Sequence, residues 1–229
     1  IKWIKLATEG DNAKAQNDLA VDYLRGAGVT KNVQEAIRLF ELSAKQGNKY
    51  AQYNLGTEYY YGSNLHQDYT KAFKFFLLSA DQGHRVAQYY LGESYNNGSG
   101  VARNFYQAAK WFKLSAEQGY SSALHVLATY YLHGRGGLPQ DDREAARLFK
   151  LSEEAKQKES DRAVQELLWI AHGSTNAKAI EKGADEAKLL SQGVHVTRDL
   201  VNTIAHEMTP KELVKIAQEI ADSSSRLSI

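Results

Sequence analysis

The chain has 229 residues, no cysteine, two prolines and a formal net charge of +1 from 28 basic and 27 acidic side chains. That balance gives no charge-driven pull toward nucleic acid or an anionic membrane, and the missing cysteines exclude disulfide staples and thiolate metal sites. No apolar run approaches the roughly 18 residues of a membrane-spanning helix, and scarce proline among plentiful helix formers points to an all-α chain.

The chain opens in mid-pattern. Trp3-Ile4-Lys5-Leu6 stands where Trp111-Phe112-Lys113-Leu114 stands later. Residues 1–9 therefore read as the second half of an earlier unit, in a chain processed or excised from something longer. Four units follow at a spacing of 36 residues, starting at Ala15, Ala51, Ala87 and Ala123. Self-similarity at such a period is the mark of a solenoid.

Within each unit the starting alanine is followed by Leu19/Leu55/Leu91/Leu127 and Tyr23/Tyr59/Tyr95/Tyr131. These columns recur every four residues and so share one face of a first helix. Gly26/Gly62/Gly98/Gly134 then closes it, as a left-handed residue does. After the leucine comes only Ala20, Gly56, Gly92 or Ala128, which predicts two helices crossing at close range.

A second helix carries Ala36/Ala72/Ala108 and the pairs Leu39-Phe40, Phe75-Phe76, Trp111-Phe112 and Leu148-Phe149. Leu42, Leu78, Leu114 and Leu151 follow each pair, and Gln46-Gly47, Gln82-Gly83 and Gln118-Gly119 end three of the helices. Hairpins of this length cannot bury an apolar face alone, so units must stack. The fourth unit departs from the pattern: its loop has one extra residue, and LSEEAKQKES lacks the closing Gln-Gly, which predicts a longer, polar helix.

The pattern A-x-x-x-L-G-x-x-Y-x-x-G-x-G-V followed by K-A-x-K-W-F-x-x-S-A-x-Q-G resembles the Sel-one-like repeat (SLR) family, relatives of the tetratricopeptide repeats. The resemblance covers Ile1 to about Leu151. It implies an all-α, right-handed superhelical solenoid of antiparallel helix pairs that serves as an adaptor for proteins or peptides. Family members are found in the bacterial periplasm, secreted or in host contact, and in the eukaryotic endoplasmic reticulum; a Cys-free chain fits each of these and the cytoplasm.

The resulting division is residues 1–158 as four units plus the preceding half unit, 159–193 as a degenerate fifth repeat or cap, and 194–229 as a short helical tail. Ala163 and Leu167 keep the spacing of four, and Gln192-Gly193 repeats the closing pair. In the tail, Thr209-Pro210-Lys211-Glu212 is a helix start with an N-cap hydroxyl, a first-position proline and a capping-box glutamate. Leu213, Ile216, Ala217 and Ile220 follow as an apolar stripe. The run RDLVNTIAHEMTP is similar to the start of the catalytic domain of the leucyl aminopeptidase family. Ile204 and His206 depart from that family's usual residues, and its metal-binding aspartate and lysine cluster does not follow.

Chemistry is otherwise hard to find. His206-Glu207 opens like H-E-x-x-H, but Pro210 occupies the place of the second histidine. His125 and His133 could share a helix side without a third ligand. The glycines at 98–100 and 134–137 follow helices rather than joining a strand to one, which argues against a phosphate cradle. The reading is a non-enzyme with no metal, cofactor, nucleic acid or transmembrane segment.

The informative positions vary between units and point away from the repeated face. The third, seventh and tenth residues of each unit do so, at 100° per residue. They supply the predicted peptide-binding set: Asn17, Tyr53, Thr57, Tyr60, Tyr89, Glu93, Asn96 and His125. In related solenoids the first helices line the concave side. Tyr53, Tyr60 and Tyr89 would be rigid anchors for a protein or peptide, and Asn17, Asn96, Thr57 and His125 would pair backbone amides. Glu93 would favour a basic group. The alternatives are a fragment of, or fusion to, a metal-dependent aminopeptidase and a glycan-binding envelope scaffold, since tyrosine also stacks on sugars.

Overall fold

A computed structural model describes residues 12–172, with side chains through 162. The chain divides into two compact units, Ile1–Glu153 and Glu154–Ile229. The first half-unit, the 173–193 portion of the fifth repeat and the tail lie outside the described residues.

The described residues are helical, with no strand: α1 (Ala13–Arg25), α2 (Val33–Lys45), α3 (Lys49–Tyr61), α4 (Tyr69–Asp81), α5 (Arg85–Asn97), α6 (Phe105–Glu117), α7 (Ser121–His133) and α8 (Asp142–His172). Helices α1 to α7 are each 13 residues long. Helix α8 is 31 residues long and runs past the point where the earlier second helices close, in keeping with the missing Gln-Gly. Within the first compact unit, α1 pairs with α2, α3 with α4 and α5 with α6, and α2, α4 and α6 in turn pack on α3, α5 and α7. The result is an all-α solenoid of stacked helix pairs.

Short polar caps start the helices. Asn12, Asn32, Asn48, Asp68 and Asn104 each accept a first-turn backbone N–H, and Asp141 accepts those of Arg143 and Glu144 at 3.0 Å. Each such cap satisfies a donor that the helix leaves open. The first helices end at Gly26, Gly62, Gly98 and Gly134, all left-handed with φ between 58° and 76°, as the glycine column predicts. The tyrosine column then closes each loop: the carbonyls of Tyr23, Tyr59, Tyr95 and Tyr131 accept the N–H of Asn32, Asp68, Asn104 and Asp141 at 2.8–3.0 Å.

The core follows the repeat. Leu19, Leu55, Leu91 and Leu127 are buried, as are Ala36, Ala72, Ala108 and Ala145 on the second helices and Phe40, Phe76 and Phe112 beside them. The small-residue column has a different cause from the one its sequence suggests. A Cβ on Gly56 would lie 2.6 Å from the Phe76 ring, and one on Gly92 2.6 Å from Phe112. The nearest neighbour is the ring of a phenylalanine of the same hairpin, rather than a crossing backbone.

Two polar ladders pin the two helices of each unit to one another. Ser43, Ser79, Ser115 and Ser152 donate from the second helices to the carbonyls of Ala13, Lys49, Arg85 and Ser121 at 2.5–2.9 Å. The amides of Gln46, Gln82 and Gln118 donate to Gln16, Gln52 and Gln88 at 2.7–2.8 Å. Gln52 and Gln88 pass the chain on to the carbonyls of Ala44 and Ala80 in the preceding unit. Buried amides and hydroxyls are tolerated because they are paired. They also make a slipped hairpin costly, since sliding one helix along the other would break its rungs, and the bonds of Gln52 and Gln88 to Ala44 and Ala80 resist slippage between units.

Leu42, Leu78 and Leu114 differ from the other repeated apolar columns in facing out, at 38, 51 and 43% exposure. Each lies two residues after a buried phenylalanine, about 200° around the helix.

Candidate functional site

The variable face of α3, α5 and α7 carries a continuous field of aromatic rings with one carboxylate in it. Tyr90, on α5, is its hub. Its ring stacks on Phe76 at 5.0 Å and 15°, and its centroid lies 6.1 Å from Tyr53, 5.7 Å from Tyr60 and 5.6 Å from Tyr89. The Tyr61 and Tyr90 hydroxyls share a hydrogen bond of 2.7 Å. Tyr89 extends the field to Phe112 at 5.8 Å and Tyr120 at 5.3 Å. Buried Phe76 and Phe112 are thus a floor on which the half-exposed tyrosines lie. Edge and offset contacts of this kind each add about 0.5–1.5 kcal/mol beyond area burial, so the rings are held stiffly.

Burial, more than any neighbouring charge, pushes the hydroxyls of Tyr53, Tyr60, Tyr89 and Tyr90 above their ordinary value. They are neutral donors near pH 7. Tyr130 is pushed up to about 12, again by burial, against the opposing pull of Arg135 and with help from Glu93.

Of the eight residues singled out from sequence, Tyr53, Tyr60 and Tyr89 come together around Tyr90. Glu93 and Asn96 stand beside them on α5. A directed chain joins these two: Tyr130 Oη donates to Asn96 Oδ1 at 2.8 Å, Asn96 Nδ2 to Asn97 Oδ1 at 2.9 Å, and Asn97 Nδ2 to Glu93 Oε2 at 3.3 Å. Thr57 is half-buried and its hydroxyl donates back to the Asn54 carbonyl at 2.7 Å. Asn17 is buried, accepting from Asn54 Nδ2 at 3.0 Å and donating to Asp18 at 3.1 Å. Its amide joins α1 to α3. His125 is exposed, edge-on to Phe149 at 5.0 Å.

Tyr61, Tyr90 and Tyr130 belong to this face and were not in the sequence-derived set. Tyr90 occupies the fourth place of its unit, where the others have Asp18, Asn54 and Val126. That variation was the available signal.

His84 caps α5. Its Nδ1 accepts the Ala87 N–H at 3.2 Å, and its ring lies 5.3 Å from Tyr50 and 4.8 Å from Tyr53. Burial, aided by Lys49 and Arg85, lowers its pKa from 6.5 to about 4. The unfolded chain takes up this proton near pH 6.5 and the folded one only near 4. The stability that neutral His84 contributes is therefore complete above about pH 6.5 and lost as the pH falls toward about 4. His84→Asn restores the residue found at Asn12 and Asn48. Urea unfolding at about pH 7 and about pH 4.5 should show the wild type losing on the order of 1–2 kcal/mol more than this variant, after allowing for solvent screening at a partly exposed ring. Equal losses would remove the histidine from the pH response.

Among the described residues no three His, Asp or Glu side chains gather as a metal site, and no helix is long and apolar enough to cross a membrane. The 198–210 stretch that resembles leucyl aminopeptidases lies outside the described residues, and nothing in the comparisons supports that likeness or a glycan-binding role.

The structure resembles a Sel1 repeat protein from Oxalobacter formigenes, with 28% identity and a TM-score of 0.62 over 67% of this chain and 63% of that one. It also resembles a protective antigen of uropathogenic Escherichia coli strains that displays an SLR fold, with 26% identity and a TM-score of 0.66 over 97% of this chain and 48% of that one. The chain thus spans less than two thirds of either relative. No curated protein matches it. Residues 13–48, 49–84, 85–120 and 121–156 each match the Sel1 repeat. These four consecutive blocks cover more than half of its length, and the chain belongs to the Sel1 repeat family.

Proposed function

We propose that this protein is a non-catalytic adaptor whose α3–α5–α7 face binds an extended segment of a partner protein. Sel1 repeat proteins are generally protein-interaction scaffolds and are typically non-catalytic. The observation that carries the reading here is the tyrosine field itself. The buried columns of the repeat are nearly the same from unit to unit, whereas the rings around Tyr90 occur only where the second and third units meet. Packing the hairpins does not require them, because the first and fourth units fill the same places with Asn17, Asp18 and Leu24 and with His125, Val126 and Leu132.

Tyrosine offers a large, stiff contact area with a polar tip, the type of residue on which interface energy concentrates. Tyr60 and Tyr89 are the anchors, and Asn96, Thr57 and His125 supply polar contacts around them. The test is a random peptide library selected on the folded protein. Tyr60→Ala and Tyr89→Ala, each shown to retain its helicity, should weaken a selected peptide at least about tenfold. Leu78→Ala, on the second-helix face, should leave affinity within about twofold. The reverse pattern would move the binding surface to the exposed leucines.

A further inference from the structure

Among the described residues, the half-buried carboxylate of Glu93 has no counter-ion. Elsewhere in the described residues Glu35 pairs with Arg38, Asp68 with Lys71 and Glu144 with Arg147. Among the described residues the hydrogen bond of Glu93 is the 3.3 Å one from Asn97 to Oε2, and none of them bonds Oε1. Burial holds its pKa above the ordinary carboxylate value, and the Asn97 bond offsets that cost only in part. The fold does not call for an acid at this place: Val21, Thr57 and Thr129 occupy it in the other three units.

Its surroundings suit a cation. Glu93 follows Tyr89 by one helical turn, and its charge reaches the hydroxyls of Tyr60, Tyr89 and Tyr130. Aromatic faces attract ammonium and guanidinium groups, more strongly where water is partly excluded. The chain from Tyr130 through Asn96 and Asn97 fixes Oε2, which leaves Oε1 for a ligand.

We propose that Glu93 seats a basic side chain of the bound segment, an arginine or lysine whose cation lies on the carboxylate among Tyr60, Tyr89 and Tyr130. This rests on the peptide-binding reading above and names the chemistry that the partner must carry. A charged hydrogen bond here relieves the isolated carboxylate and adds an attraction that no neutral side chain supplies.

Selection from a random peptide library on the wild type and on Glu93→Gln tests it. Wild-type binders should share an arginine or lysine at one position, and that preference should vanish on Glu93→Gln. Replacing the basic residue by glutamine in a synthesised binder should cost tenfold or more in affinity against the wild type and little against Glu93→Gln. The peptide-side change leaves the protein untouched, so its folding does not enter. Binders that depend on Tyr60 and Tyr89 but carry no shared basic residue would overturn the cation seat alone. A library that yields no tyrosine-dependent binder would overturn the binding face with it.

Discussion

Phe76→Ala should lower stability by about 3–5 kcal/mol, the range for a large ring deleted from a closed core. The ring is fully buried, lies against Gly56 so closely that a Cβ there would come within 2.6 Å, and supports Tyr53, Tyr60 and Tyr90 on its other side. Neither surface can follow it inward: the glycine has no side chain to extend, and the tyrosines are braced by one another. A cavity therefore remains. Urea unfolding gives the loss, and near-ultraviolet dichroism should fall with it as the tyrosines lose their fixed surroundings. Leu78→Ala, two residues along the same helix and exposed, should change stability by no more than about 0.5 kcal/mol. Comparable losses from both would mean that α4 buries the wrong side.

Gly100→Ala should cost about 2–5 kcal/mol. Gly98 and Gly100 both have a positive φ, 76° and 75°, so an added side chain strains both by about 1–2 kcal/mol. They differ in what lies beyond. A Cβ on Gly98 would have 3.6 Å to its nearest neighbours, while one on Gly100 would fall 2.1 Å from the Tyr69 carbonyl oxygen and 2.9 Å from the Thr70 nitrogen. That carbonyl belongs to the first turn of α4, so the third unit's loop would have to lift off the second unit's helix. Overpacking of this kind adds about 1–3 kcal/mol. Gly98→Ala should therefore cost only about 1–2 kcal/mol by thermal or urea unfolding. Equal costs would show that the loop yields freely. The fourth unit repeats the contact: a Cβ on Gly136 would fall 2.5 Å from the Phe105 carbonyl oxygen.

The stacking was legible because it depends on spacing. Columns such as Leu19/Leu55/Leu91/Leu127 and the left-handed glycines recur in step, and a single period fixes both the helix ends and the buried faces. The same repetition hid the purpose of Ser79 and Gln52. Their recurrence was visible in Leu-Ser-Ala and Ala-Gln-Tyr, but a recurring polar residue gives no sign of its partner, here a carbonyl or an amide 30 residues away. Leu78 shows the opposite case. Its identity suggested core, while its angle from Phe76 already placed it outside.

The site was legible in part for a related reason. Choosing positions by angle found Tyr53, Tyr60, Tyr89 and Glu93, since those lie away from the repeated columns. It passed over Tyr90, which approaches the face from the side through its ring. It also drew in Asn17, whose place on the helix faces the next hairpin rather than water. A helical wheel describes one helix alone, whereas α3 and α5 each pack on the second helix of their own hairpin and on that of the preceding one.

The most direct measurement is a photo-crosslink from a benzoylphenylalanine placed at Tyr60, compared with one at Leu78, using a peptide selected on the wild type. The account predicts crosslinks from position 60, competed away by unlabelled peptide, and none from position 78. Crosslinks from position 78 with none from 60 would contradict it and assign binding to the second-helix leucines.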